Sequence, residues 1–143
     1  MTEIESVIMF LIERTLKTAK RYSQRTFDKM NLNITVDQWV LLKIIDEKEP
    51  LSQKELGEFS IRDKASIART MVLLEKKGYV SRTPIPDNRR EYTISLSKGG
   101  KQLVQANMEM IRAHRRKSLE GFSPEEVHTL QQMLLRIQDN LKE

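Results

Sequence analysis

Two short clusters of side chains carry recognisable chemistry. The first spans residues 62–76, where Arg62, Lys64, Arg69 and Lys76 are interspersed with the small residues Ala65, Ser66 and Ala68. On a helix, Ile67, Met71 and Leu74 share one face and turn inward. Arg62, Ala65, Arg69 and Lys76 then project on the opposite side, flanked by Ser66 and Ala68. Small side chains at its leading end let a helix approach a major groove closely. Arginine there pairs with guanine O6 and N7, and serine reaches a phosphate or a base edge. The same pattern fits an amphipathic surface helix whose basic residues face water, and the helix alone does not separate the two. The second cluster is Asp87, Asn88, Arg89 and Arg90, directly after Pro86. Two adjacent arginines on a hairpin tip suit a narrow minor groove, where the negative potential is enhanced. A solvated turn is the plainer alternative. A helix–turn–helix followed at once by a basic hairpin is more specific than either part.

Other chemistry is sparse. There is no cysteine, which excludes disulfides, thiolate metal sites and cysteine redox sensing. The two histidines, His114 and His128, fall on different expected helices, whereas a metal site needs several converging ligands. No metal and no cofactor is expected. No serine sits in a nucleophile elbow and no glycine-rich phosphate loop is present; Lys98-Gly99-Gly100 reads as a helix start. The expectation is a protein that is not an enzyme.

The chain has 143 residues and a formal charge of +5. That length suits one compact domain, and that charge draws it to polyanions, either nucleic acid or an acidic membrane surface. No apolar run approaches the ~20 residues that span a bilayer. The start MTEIES carries acidic residues where a signal peptide carries basic ones. A soluble, cytoplasmic protein without membrane association is expected.

The elements that must position the two clusters follow from periodicity and caps. Ile4, Val7, Ile8, Leu11, Leu16 and Ala19 predict one long helix over 4–30. Thr35 starts a second helix, which ends before Pro50. Ser52-Gln53-Lys54-Glu55 is a capping box opening a short helix, and Ser60 and Ile61 make a turn. Asp63 caps the candidate reading helix and Gly78 stops it. Residues 79–83 read as a strand, 84–90 as a loop, and 91–96 as a half-buried strand of period two. Ser97 caps a helix over 98–119, despite Gly99 and Gly100 in its first turn. Gly121 breaks it, and Ser123-Pro124-Glu125-Glu126 opens the last helix. Val127, Leu130, Leu134, Ile137 and Leu141 form a coiled-coil-like seam along that helix. The fold class is α+β and mostly helical: a winged helix-turn-helix with long N- and C-terminal helices. The seam and the apolar stripe over 4–19 predict a homodimer.

The segments LSQKELGEF, DKASIARTMVLLEKKGYVSR and PDNRREYTISLSKGG resemble the multiple-antibiotic-resistance regulator (MarR) family. Residues 74–80 match its leucine-glutamate-basic-basic-glycine-hydrophobic-valine pattern. The segment after them matches its aspartate-x-arginine … leucine-threonine-x-x-glycine pattern. The resemblance implies one domain over 1–143, with dimerisation helices in 1–34 and 98–143 and a DNA-binding region in 35–97. It implies Lys64, Ala65, Ser66, Ala68 and Arg69 at the major groove of a pseudo-palindromic double-stranded operator, with Asn88, Arg89 and Arg90 at the wing. Alignment backwards from Leu96 makes Arg90 the wing arginine and puts Asn88 where the family has aspartate. Counting from Asp87 instead selects Arg89 but leaves the strand one residue too long, so both arginines stay candidates for the principal wing arginine. Asn88 accepts a hydrogen bond but forms no full ion pair, so either Asp87 takes that role or the wing is held less tightly. The resemblance also implies repression relieved by a small aromatic or phenolic effector. Tyr22 and Trp39 are the candidates to line its pocket, although Trp39 fits plain core as well. Two rivals remain: a winged-helix module that binds an acidic protein, and a small hydrolase.

Overall fold

The computed structural model describes the backbone of all 143 residues and every side chain except that of Arg89. The elements are α1 (Glu3–Ser6), α2 (Ile8–Lys29), α3 (Val36–Lys48), β1 (Leu51–Ser52), α4 (Gln53–Ser60), α5 (Lys64–Lys76), β2 (Val80–Ile85), β3 (Asn88–Leu96), α6 (Lys98–Ser118) and α7 (Pro124–Leu141). The protein is mostly helical, with one antiparallel sheet in the order β1-β3-β2. It divides into two compact units, Met1–Met108 and Glu109–Glu143.

The helix starts lie where side-chain oxygens can satisfy orphan N–H groups. Thr35 accepts from the Gln38 N–H at 3.1 Å, and the Gln38 side chain accepts from the Thr35 N–H at 3.0 Å. Ser52 and Glu55 form the same reciprocal pair at 3.0 and 3.2 Å, as do Ser123 and Glu126 at 3.1 and 2.9 Å. Asp63 accepts from the Ser66 N–H at 2.8 Å. After α5, Gly78 takes φ 83°, a left-handed conformation that side chains resist.

Three expectations need correction. The helix over 4–30 is interrupted at Val7, which is extended (φ −72°, ψ 122°). The Glu5 carboxylate turns back to accept from the Thr2 N–H at 2.5 Å, and the Val7 N–H donates to the Ile4 carbonyl at 3.2 Å. That closes α1 as a self-contained turn, and the β-branched Val7 suits the extended link. The Thr2 N–H bond also holds the Glu5 carboxyl below its ordinary pKa. Second, the two-residue strand β1 pairs Leu51 with Ile94 and Ser52 with Thr93; it is too short to show alternation in sequence.

Third, the loop expected over 84–90 shrinks to the two-residue turn Pro86-Asp87, with Asp87 at φ 67°. Strand β2 continues through Pro84 because it is an edge strand, where a missing N–H is tolerated. The ladder pairs Pro84 with Tyr92 and then jumps to Ile85 with Asn88. Arg89, Arg90 and Glu91 therefore form a bulge in β3.

The core of the first unit joins Leu42 and Ile45 of α3, Leu56 of α4, Ile67, Met71 and Leu74 of α5, and Ile94 of β3, all fully buried. In the second unit α7 buries none of its residues; Leu130, Met133, Leu135 and Leu141 are exposed. Among the described residues, no helix is long and apolar enough to cross a membrane.

Candidate nucleic-acid interface

Helix α5 is fixed from three sides. Asp63 caps it, Ile67, Met71 and Leu74 anchor it inward, and Gly78 ends it. At about 100° per residue, Ala65, Arg69, Val72 and Lys76 fall in one stripe opposite the buried face, and all four are exposed. Ser66 and Ala68 flank the stripe and are half-buried. Lys64 and Glu75 lie on one edge, and Arg62 lies on the other.

Ion pairs show what each edge meets. On the first edge, Lys64 pairs with Glu91 of the wing at 3.8 Å and Glu75 pairs with Arg82 of β2 at 3.5 Å. On the second, Arg62 lies 3.6 Å from Asp37 at the start of α3, which also pairs with Lys20 of α2 at 2.7 Å. Arg69 and Lys76 on the outward stripe, and Arg90 on the wing bulge, have no carboxylate partner among the described residues. An arginine with no internal acid partner gives up no ion pair when it meets a phosphate or a base edge.

The structure thus places Lys64, Ala65 and Arg69 on exposed surface of α5, with Ser66 and Ala68 beside them. Asn88 and Arg90 are exposed at the wing, and the Asn88 side-chain oxygen accepts from the Arg90 N–H at 3.3 Å. The Arg89 side chain lies outside the described residues. Trp39 is buried within α3, and its indole N–H is enclosed without a hydrogen-bond partner. Tyr22 is exposed on α2. A described cleft lies elsewhere, bounded by Lys48, Leu51, Glu55, Glu58 and Phe59. No group of three or more His, Asp or Glu that could hold a metal occurs among the described residues. Sequence reasoning did not single out Asp37, Glu91, Arg82 or the ring of Tyr92 as parts of this surface. No local signal marks them, because each meets its partner across 7 to 27 positions of chain.

Residues 34–92, which include the helix-turn-helix and the wing, match the MarR family. The winged-helix core is a MarR family domain. Solved structures extend the likeness of fold to nearly the whole chain. A probable transcriptional regulator from Pseudomonas aeruginosa is 26% identical, with a TM-score of 0.77 over 94% of this chain and 99% of that one. A mutant of MarR from E. coli, complexed with operator DNA, is 22% identical with a TM-score of 0.82, covering 96% and 99%. BpsR of Bordetella bronchiseptica, whose DNA binding is regulated by 6-hydroxynicotinic acid, is 17% identical with a TM-score of 0.84, covering 97% and 98%. Asn88 stands at the wing position where the resemblance implies aspartate, and at the base of the wing Arg82 meets Glu75 at 3.5 Å.

Proposed function

We propose that this MarR family chain is a homodimeric transcription regulator that binds double-stranded DNA sequence-specifically, a repressor released by a small aromatic ligand. The observation that carries the proposal is the outward face of α5 beside the wing. Arg69, Lys76 and Arg90 stand there with no carboxylate partner among the described residues, next to the small Ala65. Lys64, Ala65, Ser66, Ala68 and Arg69 enter the major groove, where Arg69 reads a guanine edge. Asn88 and Arg90 follow the adjoining minor groove and phosphates. The operator complex of the similar MarR protein supports this use of the fold.

Residues 35–97 form the DNA-reading region, and residues 1–34 and 98–143 form the dimerisation helices. Ile4, Ile8, Leu11 and Leu16 on α1 and α2, and Leu130, Met133 and Leu141 on α7, leave apolar surface that a second copy would cover. A two-fold dimer sets two α5 helices about one DNA turn apart, roughly 34 Å, so the operator is pseudo-palindromic. The ligand reading rests on the effector of the similar BpsR and on the unpartnered indole N–H of Trp39, with Tyr22 as the second ligand-facing residue. The protein works in the cytoplasm and catalyses no reaction.

The test is selection of bound duplexes from a random pool. Enrichment of a pseudo-palindrome with half-sites one turn apart is expected. A pool that stays unenriched after repeated rounds would refute sequence-specific binding.

A further inference from the structure

We infer that Arg82 is a positioning residue for the wing: it contacts no DNA itself but sets where Arg90 stands relative to α5. The inference rests on the DNA-binding reading above and names a residue which that reading does not use.

Arg82 lies in β2 opposite Ile94, and its side chain is only 15% exposed. Its Nε is 3.5 Å from a carboxylate oxygen of Glu75, in the last turn of α5. Its guanidinium carbon is 4.3 Å from the centre of the Tyr92 ring. Tyr92 pairs with Pro84 in the last regular rung before the bulge that carries Arg90. One planar group therefore joins the reading helix, the edge strand and the foot of the wing. A guanidinium can stack by its face while donating in its plane, and an ammonium cannot do both. Covered from water, such stacking is stronger than on an open surface.

The wing needs a clamp at its foot. Beyond Tyr92 it is a two-stranded ribbon interrupted by a bulge, and such ribbons hold little rigidity of their own. Its tip lies about three residues further out, ~10 Å at strand rise, so a tilt of about 10° displaces the tip by ~2 Å. That shift is enough to lose a hydrogen bond, whose donor and acceptor must meet within about 3.2 Å. The other ion pair between α5 and the wing, Lys64 with Glu91, is a poor substitute. Lys64 is 82% exposed and open to competition from phosphates. Once DNA takes Lys64, the contact of Arg82 with Glu75 and Tyr92 remains.

The experiment compares the full-length wild type with R82M, R82K, R90A and R82M/R90A. In the free protein, backbone amide relaxation should show lower order over residues 87–91 in R82M, with α5 unchanged. On DNA, R82M should reproduce R90A. The slope of log affinity against log salt falls by about one unit per wing, so each wing's share of the deficit shrinks about threefold between about 50 and about 200 mM salt. The ratio of preferred to scrambled duplex is retained. The double variant should bind no more weakly than R90A alone, and R82K should behave as R82M. Unchanged order over residues 87–91, additive losses in the double variant, or full recovery in R82K would each overturn the inference. If the wild type binds no duplex, the DNA reading fails, and the relaxation measurement still decides whether Arg82 holds the wing.

Discussion

Gly100→Ala should destabilise the protein even though it adds a better helix former to α6. A Cβ at Gly100 would lie 2.1 Å from the Tyr79 carbonyl oxygen and 3.0 Å from its carbonyl carbon. A carbon and an oxygen need more than 3 Å, so either α6 or the start of β2 must move by about 1 Å. Tyr79 cannot yield cheaply. Its N–H donates to the Leu74 carbonyl at 2.9 Å and its carbonyl accepts from the Ser97 N–H at 3.0 Å. Its hydroxyl donates to the Asn33 side chain at 2.5 Å. Overpacking of this kind costs about 1–3 kcal/mol. Losing the Ser97–Tyr79 bond adds about 1 kcal/mol. Alanine in place of glycine in a helix returns about 1 kcal/mol. The balance is a loss of about 1–3 kcal/mol. Gly99→Ala is the control: its Cβ would lie 3.0 Å from the Gly78 carbonyl, a contact that a few tenths of an ångström relieves. There the helix gain of about 1 kcal/mol largely offsets the strain. Urea unfolding followed by circular dichroism gives both numbers. A Gly100→Ala protein as stable as wild type would refute the reasoning, because α6 would not then be seated against Tyr79 as described.

Asp63→Ala should cost about 1 kcal/mol of stability by removing the cap of α5, and Asp63→Asn should restore most of it; equal losses in the two, measured by the same unfolding, would mean that the cap is not what matters. Sedimentation at micromolar concentration should give two chains per particle, and Ile137→Asp on α7 should shift the protein to a monomer. A wild-type monomer would remove the dimer from the proposal. Because the chain has no cysteine, peroxide should leave duplex binding unchanged apart from slow oxidation of its seven methionines. A rapid loss that a reductant reverses would contradict this.

The caps made much of the fold legible. Thr35, Ser52, Asp63, Ser97 and Ser123 each announce a helix because capping is local chemistry between residues three apart. The buried face of α5 was equally legible, since Ile67, Met71 and Leu74 repeat at helical spacing. The wing was not. Pro84 and Pro86 read as loop because proline gives up a ladder hydrogen bond, and only tertiary structure shows that β2 is an edge that tolerates this. The break at Val7 was hidden for the opposite reason, as one extended residue leaves the apolar spacing almost intact. Gly99 and Gly100 looked like poor choices for a helix start. Their reason lies across the chain, in the carbonyls of Gly78 and Tyr79. The outward residues of α5 and the wing arginine were legible from residue type and order. The partners that sort them into held and unpartnered cations were not: Asp37 and Glu91 reach Arg62 and Lys64 only through folding.

The most direct test of the central claim is titration of a labelled duplex with wild type, Arg69→Ala and Arg90→Ala, on preferred and scrambled sequences at several salt concentrations. Neither side chain has a carboxylate partner among the described residues, so removing either breaks no ion pair there. Arg69→Ala should lose about 1–3 kcal/mol per half-site on the preferred sequence and flatten base preference at one position. Arg90→Ala should weaken binding on all sequences and lower the salt slope by about one unit per contact removed. If neither substitution changes binding, α5 and the wing are not the surface that meets DNA.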